Sequence, residues 1–358
     1  MVIALFGYGA SGKTTLFEIL TQKKAGAVAH RQETRLEIQR ASIPVSDQRL
    51  DTLAALYPQK KKVAAHLEIE DFPGLAAGQI STSAYLAELR KAEALVQVVR
   101  GFRNPMIPHP RGKINPADDI NSMVEELILS DLVMLTARLE KLEKDLRKMK
   151  DPEGQKEKEL LERLKPQLEN SQQLRETDLS PSEEKMLRGF CLLSLKPFLP
   201  VINLDETDLA YLDNLEDRFP GLSSARPALG FCGQIEREIM ELEEEEKAIF
   251  MASYGLTAPL QSRFFLKIKE VMELLTFYTI GQDEVRAWLI KKNTPAVKAA
   301  GEIHTDLEKG FIRAEVLPFE ELIKAGSWAK AREAGTIRLE GKDYQVQDGD
   351  VIYFRFST

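Results

Sequence analysis

The sequence predicts an α/β protein: a mostly parallel sheet covered by helices, a charged helical hairpin inserted into it, and a small α+β module at the C-terminal end. Three observations carry this reading. Short apolar runs alternate with helical stretches from Val2 to Cys232, the pattern of strands joined by crossover helices. Seven residues, Ile128, Leu132, Leu135, Leu139, Leu142, Leu146 and Met149, repeat at alternating spacings of four and three, a heptad seam. Beyond Arg286, short strand patterns crowd around a short helix pattern.

The elements follow in order. Val2–Phe6 is an apolar run that stops at Gly7 and suits a buried strand, with a helix opening near Lys13. Val63–Asp71 alternates through Leu67 and Ile69 and breaks at Pro73-Gly74. Leu95–Val99, Phe198–Leu204 and Ala228–Cys232 read as further strands. The heptad helix ends at the turn signal Asp151-Pro152-Glu153-Gly154, and a second charged helix with Leu161, Leu164 and Leu168 as its stripe is expected to be kinked or interrupted at Pro166. An antiparallel hairpin explains this pair better than two ordinary packed helices. The run Glu241–Glu246 reads as a solvated helix face. In the tail, Arg286–Ile290 reads as a strand, Thr294-Pro295 opens a helix that stops at Gly301, and Phe311–Val316 reads as a strand. Ile337–Glu340 and Asp343–Val346 read as a hairpin around Gly341-Lys342, before a last strand Val351–Phe356.

Bulk composition narrows the function. A chain of 358 residues, 43% hydrophobic and 29% charged, is that of a soluble protein of two or three domains. A formal net charge of -7 disfavours a protein that coats nucleic acid, and no DNA partner is expected. The run Lys60-Lys61-Lys62 could touch RNA locally, although a solvated hairpin tip is the simpler reading. Two cysteines, Cys191 and Cys232, cannot build a disulfide framework, so a reducing, cytoplasmic setting is expected. Val2–Phe6 is too short for a signal peptide and no stretch suits a membrane span, so no membrane partner is expected.

The chemistry starts at Gly7-Tyr8-Gly9-Ala10-Ser11-Gly12-Lys13-Thr14, which satisfies G-x-x-x-x-G-K-[ST]. Glycines let the loop wrap closely and turn its backbone N–H groups toward phosphate oxygens. Lys13 would reach the β and γ phosphates, and the Thr14 hydroxyl would ligate Mg²⁺. The apolar run before the loop and the helix after it supply the context the motif requires. Asp71-Phe72-Pro73-Gly74 closes a later strand, where the carboxylate of Asp71 would hold Mg²⁺ and the Gly74 amide could sense the γ phosphate. The base-reading element should follow another strand. A guanine reader uses Asn-Lys-x-Asp; here Asn203-Leu204-Asp205-Glu206 lacks the Lys and ends in Glu, which weakens a guanine assignment. The small-residue loop that usually flanks the base falls at Cys232-Gly233. No His/Cys cluster has metal-site spacing.

These stretches, with "VVRGF" from Val98, "GKINPADDI" from Gly112, "LLSLKPFLPVINLDE" from Leu192, "CGQIE" from Cys232 and the tail "RAWLIKKNTPAVKAAGEIHTDLEKGFIRAEV" from Arg286, resemble the Obg-like ATPase family, known in bacteria as YchF, over nearly the full length. The resemblance implies a P-loop GTPase-like core (residues 1–116 and 185–278), a helical coiled-coil insertion (117–184) and a C-terminal ubiquitin-like TGS domain (279–358). It implies a slow ATPase that switches between ATP and ADP states, binds Mg²⁺ and works with the ribosome. It places the phosphate-side contacts at Gly7, Gly9, Ala10, Ser11, Gly12, Lys13, Thr14, Thr15 and Gly74, and the base-side contacts at Asn203, Glu206, Cys232 and Gly233. Asn203 and Glu206 fall on the family's adenine-associated Asn-x-x-Glu element. Leu75 stands where many GTPases carry a water-orienting Gln, and His109, in the stretch "HPRGKI", falls on the mobile-loop histidine proposed to take over that role; a plain loop histidine between prolines is the other reading. His66 and His304 are expected to pack or hydrogen-bond. The chain departs from the family at Ala10-Ser11, where Asn-Val is usual, in "QISTSAYL" (79–86), and in "RQETRLEIQR" (31–40), whose Thr34 is the sole candidate for a switch threonine.

Other readings stay in view. A GTPase differs only in the base. A scaffold would hold nucleotide without turnover, and a small-molecule kinase would need an acceptor pocket that the tail does not suggest. A MinD-like ATPase would carry a second Lys where Tyr8-Gly9 stands.

Overall fold

The computed structural model describes residues 1–23, 36–76, 83–222 and 227–357. The candidate switch residue Thr34, and the first half of each of the stretches 31–40 and 79–86, lie outside them. In chain order the strands are β1 (Val2–Phe6), β2 (Gln39–Pro44), β3 (Lys61–Val63), β4 (His66–Asp71), β5 (Ala94–Arg100), β6 (Phe198–Asn203), β7 (Leu229–Phe231), β8 (Leu274–Ile280), β9 (Glu284–Lys291), β10 (Phe311–Pro318), β11 (Arg338–Glu340) and β12 (Asp350–Phe356). The chain divides into two compact units: Met1–Ser42 with Glu68–Lys267, and Ile43–Leu67 with Ile268–Thr358.

The first unit is built on a sheet of order β2-β4-β1-β5-β6-β7. The pairs β1–β4, β1–β5, β5–β6 and β6–β7 are all parallel. Every residue of β5 and β6 is buried, which is why both read as unbroken apolar runs. The parallel order brings the carboxyl ends of β1, β4 and β6 to one edge, where ligands of such sheets bind.

The heptad seam forms the first of two long helices, Pro116–Leu146, capped by the Asn115 side chain accepting from the Asp118 amide. The second, Pro152–Glu169, is capped by Asp151. Ile128, Leu135, Leu139 and Leu142 are buried in one cluster with Leu160, Leu161, Leu164 and Leu168. Arg138 grips Glu157 across the pair with two bonds of 2.7 Å. Three seam residues behave otherwise. Leu132 and Leu146, the latter at the helix end, are only partly buried, and Met149 lies beyond the helix end and is 71% exposed. Pro166 does not interrupt the second helix, which runs through it to Glu169. The run Glu241–Glu246 is a junction rather than one helix face. The helix Gly233–Glu241 ends there, and Glu244–Glu246 form the first turn of Glu244–Ser253, where carboxylates complement the helix dipole.

The second unit is a mixed sheet of order β11-β10-β12-β8-β9-β3. The helix Ala296–Ile303 buries Ala296, Ala299 and Ala300 against Leu275, Phe277, Ile290, Val316, Ile352 and Phe354. Five expectations need correction here. Residues 43–67, assigned by the sequence to the first segment, cluster with the second unit, because β3 pairs with β9 through Lys61↔Glu284 to Val63↔Arg286. The unit also opens at Ile268 rather than 279, because β8, which precedes the first strand read there, pairs antiparallel with β9 from Leu274↔Lys291 to Ile280↔Val285. The single strand read over Val63–Asp71 is two strands in two sheets, and Lys60-Lys61-Lys62 is no hairpin tip: Lys61 and Lys62 lie in β3, and Lys60 Nζ donates to the Gly281 and Gln282 carbonyls. The expected hairpin around Gly341-Lys342 is absent, because β11 pairs with β10 while Gln345 makes one bridge to Pro295 and the Tyr344 hydroxyl bonds Asp350.

Candidate nucleotide-binding site

Gly7 to Gly12 join β1 to the helix Lys13–Thr21. The loop needs its glycines. Gly7 has φ +146°, and an added Cβ would stand 2.4 Å from the Val98 carbonyl oxygen; Gly12 has φ +99°, and its Cβ would stand 2.3 Å from the Asn203 amide nitrogen. Ala10 also has a positive φ, 57°, a conformation that Asn tolerates better than Ala. The loop is laced to the end of β4. The Gly9 N–H donates to the Leu75 carbonyl at 2.8 Å and the Leu75 N–H to the Gly7 carbonyl at 3.1 Å. Gly74 comes so close to Gly9 that a Cβ would meet its Cα at 2.8 Å.

A cleft of about 510 Å³ opens against this loop, lined by Gly9, Ala10, Gly12, Lys13, Thr14 and Thr15 from the loop side and by Glu37, Gln39 and Asp71–Gly74 opposite. Lys13 is 6% exposed, and its ammonium donates to the Gly7 and Tyr8 carbonyls at 3.1 and 2.7 Å. Burial pushes Lys13 down to about 8, with Asp71 opposing the shift. Burial likewise raises the Asp71 carboxyl, against the pull of the Thr14 hydroxyl and the Lys13 charge. Thr14 Oγ1 donates to Asp71 Oδ2 at 2.8 Å, while Asp71 Oδ1, Ser11 Oγ and Gln39 Oε1 are buried without protein partners. Both charges are thus held short of full compensation around a cavity, the condition under which a charged ligand is gained.

On the far side of Gly12, Asn203 ties two loops together. Its Nδ2 donates to the Ser11 carbonyl at 3.2 Å and its Oδ1 accepts from the Gly233 N–H at 2.9 Å. A Cβ on Gly233 would meet the Thr15 methyl at 3.0 Å, so Thr15, Asn203 and Gly233 form one wall. Cys232 is buried as the N-cap residue of the next helix, and burial raises its thiol. Glu206 is not among the cleft residues; its exposed carboxylate accepts from the Tyr254 hydroxyl at 3.3 Å.

His109 is not among the cleft residues either. Its ring stands edge-on to Tyr8, with centroids 6.3 Å apart. Nδ1 accepts from the Arg111 N–H at 3.2 Å, which leaves the proton on Nε2, 3.0 Å from Asp119 Oδ2. That contact is off line for a hydrogen bond, and it becomes an ion pair only when the ring is protonated. Burial, with Arg100 and Arg111 nearby, pushes His109 down, and burial pushes Asp119 up to about 6. The loop is pinned from beneath by Arg100, 2% exposed, whose guanidinium donates to the carbonyls of Phe102, Asn104 and Ile107. Leu75, where a catalytic Gln is common, is 6% exposed within the core and cannot reach a water in the cleft. Sequence reasoning missed Glu37, Gln39, Arg100 and Asp119. The first two sit in and beside a strand with almost no apolar signal, and the last two sat inside quoted motifs without a role.

A family model described as a 50S ribosome-binding GTPase matches residues 2–151. A model for the C-terminal region of YchF GTPases, described as a protein of unknown function, matches residues 274–357. The ribosome-binding ATPase YchF of Haemophilus ducreyi is 38% identical over 97% of this chain and 96% of its own. The Bacillus subtilis protein of the same name is 35% identical over 100% of both. A solved Schizosaccharomyces pombe YchF GTPase superposes with a TM-score of 0.82 at 27% identity, covering 99% of this chain and 97% of that one. No helix among the described residues is long and apolar enough to cross a membrane. With a phosphate-loop core and a YchF-type C-terminal region in one chain, and relatives of this identity from end to end, the protein belongs to the YchF family.

Proposed function

We propose that this protein binds and slowly hydrolyses ATP with Mg²⁺ and works with the ribosome in the cytoplasm. The observation that supports it most is the cluster of Lys13, Thr14 and Asp71 around the cleft, where the Thr14 hydroxyl donates to Asp71 and the other carboxylate oxygen is buried without a protein partner. The backbone of Gly9–Gly12 would wrap the phosphates, and Lys13 would exchange its two carbonyl contacts for phosphate oxygens. Thr14 and Asp71 fit a hard divalent cation: a hydroxyl 2.8 Å from a carboxylate, whose other oxygen is buried and unbonded. Such an ion would offset charge on the phosphoryl oxygens. Thr15, Asn203, Cys232 and Gly233 would flank the base, and Glu206 would meet its edge after a side-chain swing away from Tyr254. By the family resemblance, His109 would be the water-orienting group. It would act only after leaving Asp119, which is consistent with slow turnover. The ribosomal partner is carried by the relatives' names, "Ribosome-binding ATPase YchF".

A GTPase is the second reading, favoured by the name of the S. pombe relative, a YchF GTPase. Equilibrium binding of labelled ATP and GTP with Mg²⁺, and phosphate release by the native chain and Lys13→Ala, decide between them. A tenfold preference for GTP, about 1.4 kcal/mol, removes the adenine assignment. Phosphate release that survives Lys13→Ala removes the site.

A further inference from the structure

Hydrolysis of a phosphoanhydride needs a group that holds the attacking water in line with the γ phosphorus. Leu75 offers none: it is apolar, and its backbone is fastened to the phosphate loop through Gly9 and Gly7, so it cannot swing aside. His109 accepts from the Arg111 N–H and faces Asp119, outside the cleft. With His109 held there, the lining of the cleft has to supply the group.

Most of that lining is already committed. Lys13 can only donate, and the Thr14 hydroxyl is spent on Asp71. The Thr15 methyl faces Gly233, on the base side. Glu37 is exposed and carries a charge that a triphosphate repels. Gln39 differs from all of these. It is half-buried in the cleft wall, and its Oε1 is buried without a protein partner. An amide oxygen so placed is costly unless something in the cavity bonds to it. A carboxamide is neutral and carries both an acceptor and donors, so it can accept from a water and donate to a phosphoryl oxygen together.

Its direction is set by its neighbours. Leu36 and Ile38 pack into the core, so residues 37 and 39 turn the other way, toward the cleft. Arg40 pairs with the buried Glu70 of β4 at 2.7 Å. That contact pins the start of β2 to the neighbouring strand, the one that ends in Asp71.

We propose that Gln39 is a catalytic residue, whose amide holds the attacking water for phosphoryl transfer while His109 stays at Asp119. The inference rests on reading the cleft as a site of nucleotide hydrolysis. The water oxygen bonds to the γ phosphorus as the bond from that phosphorus to the β–γ bridging oxygen breaks, and the electron pair leaves on the nucleoside diphosphate. One water hydrogen stays on the released phosphate and the other passes to solvent as a proton. Gln39 neither gains nor loses a proton. It orients the water without acting as a base, which accords with slow turnover.

The test follows phosphate release in a single turnover, with the full chain in excess over the triphosphate that the native protein prefers, ATP or GTP. Binding of a non-hydrolysable analogue and thermal melting are measured on the same samples. Gln39→Ala should lower the single-turnover rate about tenfold or more, while the analogue binds as it does to the native chain and the melting temperature holds. Gln39→Asn keeps the amide but is a methylene short, and it should lose nearly as much rate. In a chain already carrying His109→Ala, adding Gln39→Ala should lower the remaining rate by the same factor as in the native chain, because the two groups act separately. A rate unchanged in Gln39→Ala, or a loss of rate matched by an equal loss of analogue binding, overturns the role of Gln39. No further loss in the double variant hands the water to His109 and overturns it as well. A native chain that binds no analogue removes the site itself, a result distinct from analogue binding and phosphate release that both persist without Gln39.

Discussion

Replacing Asn203 with Ala removes a side chain that joins the phosphate loop to the loop at Gly233. Asn203 is 5% exposed, and both ends of its amide are used: Nδ2 toward the Ser11 carbonyl and Oδ1 toward the Gly233 N–H. The substitution leaves two buried backbone groups without partners, at about 1–3 kcal/mol each. A water entering the vacated space would recover part of this, so about 2–3 kcal/mol is the net expectation. At roughly 2–4 °C per kcal/mol for a unit of this size, the melting temperature should fall by about 4–12 °C. Because Ser11 and Gly233 lose their shared anchor, nucleotide affinity should fall at least tenfold, about 1.4 kcal/mol. Asn203→Asp separates the two bonds: it keeps an acceptor for Gly233 but turns an acceptor toward the Ser11 carbonyl, so it should weaken nucleotide binding as much or more. Thermal melts with and without nucleotide, and calorimetric titration, read both effects. A variant that melts within about 1 °C of the native chain and binds nucleotide equally well would refute the argument.

Gly74→Ala should leave the fold intact and cut nucleotide binding severely, since its Cβ would press on the Gly9 Cα at 2.8 Å and crowd Lys13 Nζ at 3.3 Å; unchanged affinity in a titration would show that the loop yields freely. Leu161→Ala, at a fully buried seam position, should cost about 2–5 kcal/mol, read as a lower denaturant midpoint. The Glu315 carboxyl feels burial, which would raise it, but hydrogen bonds from Arg355 and Arg332 outweigh that and hold it below its ordinary 4.5. A carboxyl depressed on folding adds stability above its unfolded value and loses it as the pH falls through the folded one. Glu315→Gln should therefore flatten the loss of stability below about pH 4.5, and identical acid limbs in the two chains would remove the assignment.

The parts legible in the sequence are those whose cause is local in the chain. The phosphate loop is set by residues a few positions apart, so its glycines, Lys13 and Thr14 could be assigned without tertiary knowledge. β5 and β6 are buried on both faces, so composition alone marks them. The long helices announce themselves by a repeat that persists over several turns. β2 is the opposite case. It is an edge strand, "QRASIP", with Ile43 its only buried residue, and alternation has almost nothing to register there. Yet it carries Gln39 to the cleft wall. β3 is three residues long, and its partner β9 lies more than two hundred positions away; no window along the chain contains both, so Lys60-Lys61-Lys62 looked like an isolated charge run.

His109 shows the same division within a single loop. The sequence can name the histidine but not the restraint on it. That restraint is a buried guanidinium facing three carbonyls of the segment just after it, together with a carboxylate from the first turns of the long helix. Arg100 cannot shed its charge, so freeing the loop exposes a buried cation to the loss of three acceptors at once. Asp119 can be neutralised, and its contact with His109 is the weaker tie. Movement of His109 toward the cleft should therefore begin at Asp119, with Arg100 keeping the base of the loop in place. Asp119→Asn tests this order: it should raise the rate of phosphate release or leave it unchanged while Arg100→Met lowers it, and the reverse pattern would mean that Asp119 orients the histidine for catalysis instead of holding it back.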